Sequence, residues 1–303
     1  MKIKKWFILT LMLFGFCVSV AQANENELLH PTAFFLPTQG GRIEYYALGK
    51  GSPIVLISGY AASASAWNRR FLSVLLKNHE VILFDNRNVG GSYNSSRLYT
   101  TAALAEDTDA LIQALHLDHP AVVGISMGGM IAQQLAVSYP QDVSHLILIN
   151  TAIAGSQSVK PSLQVQDWIE HTPQGKIKRF FIALRLMAPP SWWLEVMHQI
   201  RTDRFADNGK TLGVSPKTLQ QQRQLVFDWA ANNTAAAAIA KLNVPTLILN
   251  GGEDALIPPI NSVILAKTIP HAQFERWADG GHLMPYQFPE PIAEAIVGFV
   301  DKH

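Results

Sequence analysis

The sequence predicts an α/β fold: a mostly parallel, doubly wound β-sheet with helices on both faces and one inserted helical lid. Three observations predict it. Short apolar segments rich in β-branched residues alternate with helical patterns along most of the chain. These short segments are apolar throughout, which is typical of strands buried on both faces of a parallel sheet. From about residue 156 to 240 the alternation stops and only helical patterns remain.

The size and composition of the chain fit one large core with an inserted subdomain. Of 303 residues, 48% are hydrophobic and 16% are charged, which is a globular composition. We therefore expect a core domain made of residues 24–155 and 241–303, interrupted by a lid at 156–240.

The N-terminal residues have the pattern of a signal peptide. Three lysines among the first five residues precede an uncharged, mostly apolar run of 15 residues, 6–20, and then Ala21-Gln22-Ala23. A positive region, an apolar run and a small-residue site predict cleavage after Ala23 and a periplasmic or secreted protein. Two alternatives stay open. One is an uncleaved membrane anchor, although an apolar run of 15 residues is short for crossing a bilayer. The other is a lipoprotein modified at Cys17, although the residues before Cys17 match the small-residue pattern of lipoproteins poorly.

Loss of this leader changes the charge and removes the only cysteine. It takes away three lysines and no acidic residue, so the formal net charge falls from +1 to −2. We therefore expect no nucleic-acid partner, and membrane contact only if the leader stays uncleaved. The mature chain would hold no disulfide.

The strands and helices are predicted in a regular order. A hairpin comes first, with strands at 32–37 and 42–48 joined at Gln39-Gly40-Gly41. Apolar strands follow at 53–57, 81–84, 121–125, 144–149 and 245–250, and a last strand is predicted at 273–277. Helical patterns lie at 65–76, 101–115, 127–139, 260–268 and 289–301, and the lid has further helical segments rich in large apolar residues.

Ser126 lies on the corner between a predicted strand and a predicted helix. Gly124 and Gly128 flank it in a G-x-S-x-G pattern, and Pro140 closes the helix. The sharp turn at such a corner needs small residues two positions either side, and it exposes the serine as a nucleophile. The alternative is a tight turn whose serine only caps the helix.

A serine hydroxyl needs a general base, and the base needs an acid to orient it. His282 follows the last predicted strand in a Gly-Gly-His loop, whereas His271 precedes that strand and should face away. Asp254 is our candidate for the acid because it follows the strand at 245–250. Its neighbour Glu253 and the loop residue Asp279 are rivals.

Two backbone N–H groups are expected to form the oxyanion hole. The residue after the nucleophile, Met127, supplies one. Tyr60, in the turn Ser58-Gly59-Tyr60 after the strand at 53–57, is the candidate for the other. The alternative is a turn with no catalytic part.

Four motifs together resemble the α/β-hydrolase superfamily. They are Gly124-Ile125-Ser126-Met127-Gly128-Gly129, Gly252-Glu253-Asp254 followed by Pro258, Gly281-His282 followed by Glu290-Pro291, and Asp85-Asn86-Arg87-Asn88-Val89-Gly90-Gly91-Ser92. The resemblance covers roughly residues 43–300 apart from the lid and is closest to cofactor-free esterase, lactonase and perhydrolase-like members. It implies the same triad of Ser126, Asp254 and His282. The chain departs from the family pattern in having Ser58-Gly59 for His-Gly and Asn88 for Gly, although Asn tolerates left-handed geometry.

Other chemistries lack their motifs. The sequence has no HExxH, no paired cysteines, no P-loop and no GxGxxG, so we expect neither a metal nor a cofactor. His116 and His119 flank a helix end without a set of carboxylate partners.

The sequence thus predicts an exported serine hydrolase that cleaves carboxylic esters, lactones or thioesters of small apolar substrates. Trp193, Phe181 and Met187 in the lid are the candidate substrate contacts, since aromatic and methionine side chains suit an apolar acyl or alcohol group. Alternatives are carbon-carbon bond hydrolysis, perhydrolysis, haloperoxidase-like activity or amide cleavage with the same triad. A further alternative is a binding or sensor protein that captures a small ligand under the lid.

Overall fold

The computed structural model describes residues 28–95, 98–170, 175–206 and 214–302. The predicted signal peptide, residues 1–23, lies outside these described residues. Among them, no helix has the length and apolar character that a membrane-spanning segment requires.

A nine-stranded sheet forms the centre of the protein, with neighbours in the order β1-β2-β4-β3-β6-β7-β8-β9 and β5 paired to β2. The strands are β1 (Phe34–Thr38), β2 (Gly41–Gly49), β3 (Ser52–Ile57), β4 (His79–Phe84), β5 (Tyr93–Asn94), β6 (Ala121–Ile125), β7 (His145–Ile149), β8 (Thr246–Gly251) and β9 (Gln273–Trp277). The pairs of β2 with β1, β4 and β5 are antiparallel, and all pairs from β4 to β9 are parallel. The predicted fold class is confirmed.

Eleven α-helices with assigned bounds connect and cover these strands in the described part of the chain. They are α1 (Arg69–Leu75), α2 (Thr101–Ala114), α3 (Met127–Ser138), α4 (Leu163–Glu170), α5 (Lys176–Met187), α6 (Trp193–Thr202), α7 (Pro216–Ala231), α8 (Asn233–Ile239), α9 (Ile260–Thr268), α10 (Met284–Gln287) and α11 (Pro289–Val300).

The central strands β3, β6, β7 and β8 are buried on both faces, as their apolar sequences predict, whereas the edge strands β1 and β9 are largely exposed. In β3, Val55 and Ile57 pack into the core cluster that includes α2 and α3. Ile54 and Leu56 point the other way, into the cluster that includes α1 and α11. All four side chains are fully buried, and burial of each contributes about 2 kcal/mol to stability.

The predicted helix at 65–76 is wrong in its first part. The side chain of Asn68 accepts hydrogen bonds from the N–H groups of Arg70 and Phe71, so α1 begins only at Arg69. The preceding residues form a short 3₁₀ helix, Ala64–Ala66. The strand β5 and the short helix α10 were not predicted either.

Between β7 and β8 the described residues form the helices α4 to α8 and no strand. The C-terminal end of α5 reaches the loop that follows β9 at the carboxyl edge of the sheet. There the N–H of Leu283 donates to the Met187 carbonyl at 2.8 Å. The lid boundaries at 156 and 240 stay a prediction.

Candidate active site

Ser126 occupies a strained backbone position between β6 and α3. Its φ is 58° and its ψ is −125°, a conformation that L-residues rarely adopt. A Cβ on Gly124 would lie 2.6 Å from the carbonyl carbon of Gly128, and one on Gly128 would lie 2.8 Å from that of Ile57. The close approach of strand and helix therefore explains both glycines. Ser126 is 8% exposed.

His282 and Asp254 form a buried pair at the carboxyl edge of the sheet. The Nδ1 atom of His282 lies 2.8 Å from Oδ2 of Asp254. The other carboxylate oxygen of Asp254 accepts from the N–H groups of Leu256 and Ile257, each at 2.8 Å. These bonds fix the carboxylate with one oxygen aimed at the imidazole, which leaves Nε2 as the ring nitrogen available for proton transfer.

The structure places the rival residues away from the imidazole nitrogen that Asp254 contacts. Glu253 is exposed, although its N–H donates to the Gly280 carbonyl at 2.8 Å. Asp279 is exposed and accepts from Nε1 of Trp192 at 3.3 Å. His271 precedes β9, whereas His282 follows it, so the two histidines lie toward opposite edges of the sheet.

The last residue of β7 and the two residues after it, 149–151, hold both Ser126 and the histidine loop. The N–H of Ser126 donates to the Ile149 carbonyl at 3.0 Å, and the Thr151 hydroxyl donates to the Ser126 carbonyl at 2.7 Å. Between them, Nδ2 of Asn150 donates to the carbonyls of Gly281 at 2.9 Å and His282 at 3.0 Å. Ser126 and His282 are therefore tied to the same three residues.

The hydrogen bonds of the described residues do not include one between Ser126 Oγ and His282 Nε2. This contact is often long in ligand-free hydrolases and tightens when substrate binds. The anchoring by residues 149–151 brings the backbones of Ser126 and His282 to the same edge of the sheet.

The loop of residues 58–64 follows β3 and contacts Ser126. A Cβ on Gly59 would lie 3.1 Å from Cβ of Ser126, so the loop backbone runs directly against the serine. The side chain of Ser58 accepts from Nε1 of Trp67 at 3.1 Å, and the Ser58 carbonyl accepts from Nδ2 of Asn86 at 3.2 Å. These two bonds hold Ser58 in place, at the position where the family pattern has histidine.

Two further side chains brace loop 58–64, and the sequence predicts this role for neither of them. Gln222, on α7, accepts from the N–H of Ala61 at 2.8 Å and donates to the Tyr99 hydroxyl at 3.0 Å. Asp85 accepts from the N–H of Ala64 at 2.7 Å. The loop contains the predicted donor Tyr60, which is partly exposed. The other predicted donor, the N–H of Met127, is in the first turn of α3, where N–H groups lack an intrahelical acceptor.

The three predicted substrate contacts lie on or beside the segment from α5 to α6. The rings of Phe181 and Trp193 are 6.0 Å apart, and Nε1 of Trp193 donates to the Ala188 carbonyl at 2.9 Å. Met187 contacts the histidine loop through its carbonyl, which accepts from Leu283. Trp192 instead packs against Phe288 with 4.8 Å between ring centroids, so the adjacent tryptophans point apart.

A family model described as the alpha/beta hydrolase fold matches residues 52–289. The matched range runs from β3 to the start of α11 and includes Ser126, Asp254 and His282. The chain belongs to the alpha/beta hydrolase fold family. The resemblance predicted from the motifs is confirmed, and membership indicates a hydrolase.

Two curated relatives and one solved structure illustrate the likeness of this alpha/beta hydrolase to known proteins. The cis-3-alkyl-4-alkyloxetan-2-one decarboxylase of Shewanella oneidensis is 29% identical over 295 residues, covering 91% of each chain. The poly(3-hydroxyalkanoate) depolymerase of Ectopseudomonas oleovorans is 28% identical over 255 residues, which are 83% of this chain and 85% of the relative. An alpha/beta hydrolase fold protein from Chitinophaga pinensis superposes with a TM-score of 0.75 at 21% identity, covering 89% of this chain and 98% of that one. This last likeness concerns the fold alone.

In this alpha/beta hydrolase, Asp85 belongs to a buried acidic pair with Glu44. Both carboxylates accept from the N–H of Gly91, at 3.1 Å from Asp85 and 2.6 Å from Glu44. The Tyr46 hydroxyl donates to Glu44 at 3.1 Å. Burial raises the pKa of Asp85 to about 7, the Glu44 carboxylate acts in the same direction, and the N–H groups of Ala64 and Gly91 oppose both. Asp85 therefore takes up a proton at a much higher pH than a free carboxyl group does.

The stability of the alpha/beta hydrolase should fall as pH rises from 5 to 8. The folded-state pKa of Asp85 lies above the unfolded value of about 3.9, so its stabilising contribution is complete below about pH 4 and is lost as pH rises through about 7. We expect Asp85→Asn to flatten this dependence by on the order of 2 kcal/mol. Urea unfolding at pH 5, 6, 7 and 8 measures it. Glu275→Gln, at an exposed carboxylate, is the control, and an unchanged slope in Asp85→Asn would contradict the assignment.

Proposed function

We propose that this hydrolase cleaves carboxylic esters, lactones included, through a covalent acyl-enzyme. The observation that carries the proposal is the 2.8 Å contact between His282 Nδ1 and Asp254 Oδ2, held by residues 149–151 beside the strained Ser126. A serine, a histidine and an oriented carboxylate are the set that nucleophilic acyl transfer needs.

In the acylation step, Ser126 Oγ attacks the carbonyl carbon of the ester and its proton passes to Nε2 of His282. Asp254 stabilises the imidazolium through the Nδ1–H bond. The carbonyl oxygen becomes an oxyanion that accepts from the N–H groups of Met127 and Tyr60. When the carbon–oxygen bond to the leaving alkoxide breaks, His282 donates the proton to it.

In the deacylation step, water replaces the alcohol. His282 takes a proton from the water as its oxygen attacks the acyl carbon, and the same two N–H groups stabilise the second oxyanion. Collapse of this intermediate breaks the bond to Ser126 Oγ, which recovers the proton from His282. A carboxylic acid leaves and the free enzyme is restored.

We infer an apolar substrate with alkyl substituents. The two curated relatives support this class, since one is a depolymerase of a poly(3-hydroxyalkanoate) and the other is a decarboxylase of an alkyl-substituted oxetan-2-one, a cyclic ester. The lid residues Phe181, Met187 and Trp193 supply apolar side chains near the histidine loop, and we propose them as contacts for the alkyl part.

We also propose that the enzyme acts outside the cytoplasm. The support is the N-terminal sequence, in which three lysines, an apolar run and Ala21-Gln22-Ala23 follow one another. Intact-mass measurement of protein recovered from the periplasmic or culture fraction should give a chain beginning at Asn24. Recovery of the uncut chain from the membrane fraction would show an anchor instead.

A panel of aryl esters of increasing acyl length tests the proposed reaction. We expect turnover that rises with acyl length from acetate to octanoate, because a longer chain buries more apolar surface against the lid. Parallel assays with an alkyl β-lactone and with hydrogen peroxide plus a halide separate ester hydrolysis from oxidation. A short-chain optimum would contradict the apolar lid contacts. Oxidation without hydrolysis would contradict the ester hydrolase itself.

Gln222→Ala should lower kcat about tenfold with little change in KM. The substitution leaves the N–H of Ala61 without its acceptor and so loosens the loop that contains Tyr60. Loss of one oxyanion donor costs about a hundredfold or more, and loss of a support for the loop costs less. Gln224→Ala, on the exposed face of the same helix, is the matched control. Equal effects of the two substitutions would show that Gln222 does not position the loop.

A further inference from the structure

The outer face of the α5–α6 pair is apolar and open to solvent. On α5, Ile177 is 75% exposed, and Phe180 lies one turn further along the same stripe. On α6, Leu194 is 81% exposed. Single exposed apolar side chains are ordinary, but a contiguous group of them marks an interaction surface. We call the surface formed by Ile177, Phe180 and Leu194 the α5–α6 face.

A groove of about 870 Å³ runs between the two helices beneath this face. Its walls are mostly apolar, and its polar residues come from the second half of α6. The lining includes Phe180, Leu184 and Met187 from α5 and Leu194, Met197 and Arg201 from α6. Neither Ser126 nor His282 lines it, and of the three proposed substrate contacts only Met187 does.

All charged residues of α5 are basic. Its sequence, KIKRFFIALRLM, has four basic residues and no acidic one, although the whole chain has a formal net charge of only +1. Lys178 and Arg185 are exposed on this helix. A helix that combines an apolar stripe with Lys and Arg on its polar side is typical of segments that lie in a membrane interface.

We propose that the α5–α6 face binds the surface of an anionic phospholipid bilayer. The apolar side chains enter the boundary between headgroups and acyl chains, and the cations of α5 contact the lipid phosphates. A second copy of the chain fits this face less well, because a symmetric contact would bring two copies of the cation-rich α5 together. The proposal does not depend on the chemistry of Ser126.

Vesicle sedimentation tests the proposal. The purified protein is mixed with large unilamellar vesicles of phosphatidylcholine alone or of equal parts phosphatidylcholine and phosphatidylglycerol, at two salt concentrations. We expect binding to the anionic vesicles that weakens at high salt. Leu194→Glu combined with Ile177→Glu should lower the partition coefficient at least tenfold, and each of Lys178→Gln and Arg185→Gln should lower it about fivefold.

Matched controls at exposed positions on other elements are Phe227→Glu on α7 and Lys217→Gln at the start of the same helix. They should bind as the wild type does. Residues 6–20 are the same in every variant, so binding that they cause would survive all of these substitutions. Hydrolysis of a soluble aryl ester and the thermal unfolding midpoint report whether each variant is folded.

Three results would overturn the proposal. One is binding that the α5–α6 substitutions leave unchanged, and another is equal binding to neutral and anionic vesicles. The third is concentration-dependent self-association without lipid, lost in Leu194→Glu, which would assign the face to a second copy of the chain. Light scattering after size-exclusion chromatography measures that self-association.

Discussion

Replacement of Ser126 by Ala is expected to lower kcat for aryl-ester hydrolysis at least about a thousandfold. The hydroxyl is the proposed nucleophile, and the members of a serine triad act as one unit, so loss of any member removes most of the catalysis. The backbone should tolerate Ala, because the strained turn depends on the neighbouring glycines rather than on the hydroxyl. Steady-state kinetics with the acyl length that the wild type prefers gives the measurement.

The matched control for this substitution is Ser138→Ala at the end of the same helix, where the hydroxyl accepts only from the Gln134 side chain. It should retain wild-type kinetics. If Ser126→Ala kept more than a tenth of the activity, the nucleophile would have to be another group. Measurement at saturating substrate keeps a change in KM from being mistaken for a loss of chemistry.

Asp254→Asn is expected to reduce kcat by about 10³ to 10⁴ while Glu253→Gln leaves it within about threefold. The Asn side chain would keep the shape of the carboxylate but could no longer stabilise an imidazolium at Nδ1. Glu253 is the adjacent acid in the same loop, and its side chain is exposed. The two substitutions therefore each remove one negative charge from neighbouring positions, and only Asp254→Asn should lower kcat strongly.

The reverse order of effects would show that the acid is Glu253. Similar losses in both variants would point to a distorted loop, which the thermal unfolding midpoints would reveal. The NMR signal of the His282 Nδ1 proton, expected at low field in the wild type, should disappear or shift in Asp254→Asn alone.

Buried parallel strands are the elements that the sequence predicts best. β6 is predicted at its observed bounds, and β7 and β8 within one residue, because a short apolar run rich in β-branched residues has few alternatives. The prediction of a helix at 65–76 is wrong at its start because the Asn68 side chain accepts hydrogen bonds from the backbone. This cap begins the helix at Arg69, although the helical pattern of the sequence starts at residue 65. β5 is only two residues long and forms by pairing with β2, whose partner residues lie 51 and 53 positions away.

The candidate triad could be found because residues that follow parallel strands meet at one edge of the sheet. Asp254 and His282 each follow a strand, and the structure brings them together. The same rule could have selected Asn150, which directly follows the apolar run of β7. A strand-end Asn has no catalytic pattern to draw attention to it, so its two bonds to the histidine loop emerge only from the coordinates.

Gln222 and the Asp85–Glu44 pair could not be predicted from local sequence. Gln222 reaches Ala61 from 161 positions away, and nothing in the helical pattern of α7 marks it as a support for loop 58–64. Asp85 belongs to the motif of residues 85–92, but its contact with Glu44 depends on the antiparallel pairing of β2 with β4. Such contacts are set by tertiary packing rather than by spacing along the chain.

The most direct test of the central claim is mass spectrometry of protein treated with a fluorophosphonate probe. An activated serine reacts with this probe, and an ordinary serine does not. We predict a single adduct on the peptide that contains Ser126 in the wild type, and at least about a hundredfold slower labelling in His282→Ala. An unlabelled wild type, an adduct on another serine, or labelling that His282→Ala leaves unchanged would contradict the account.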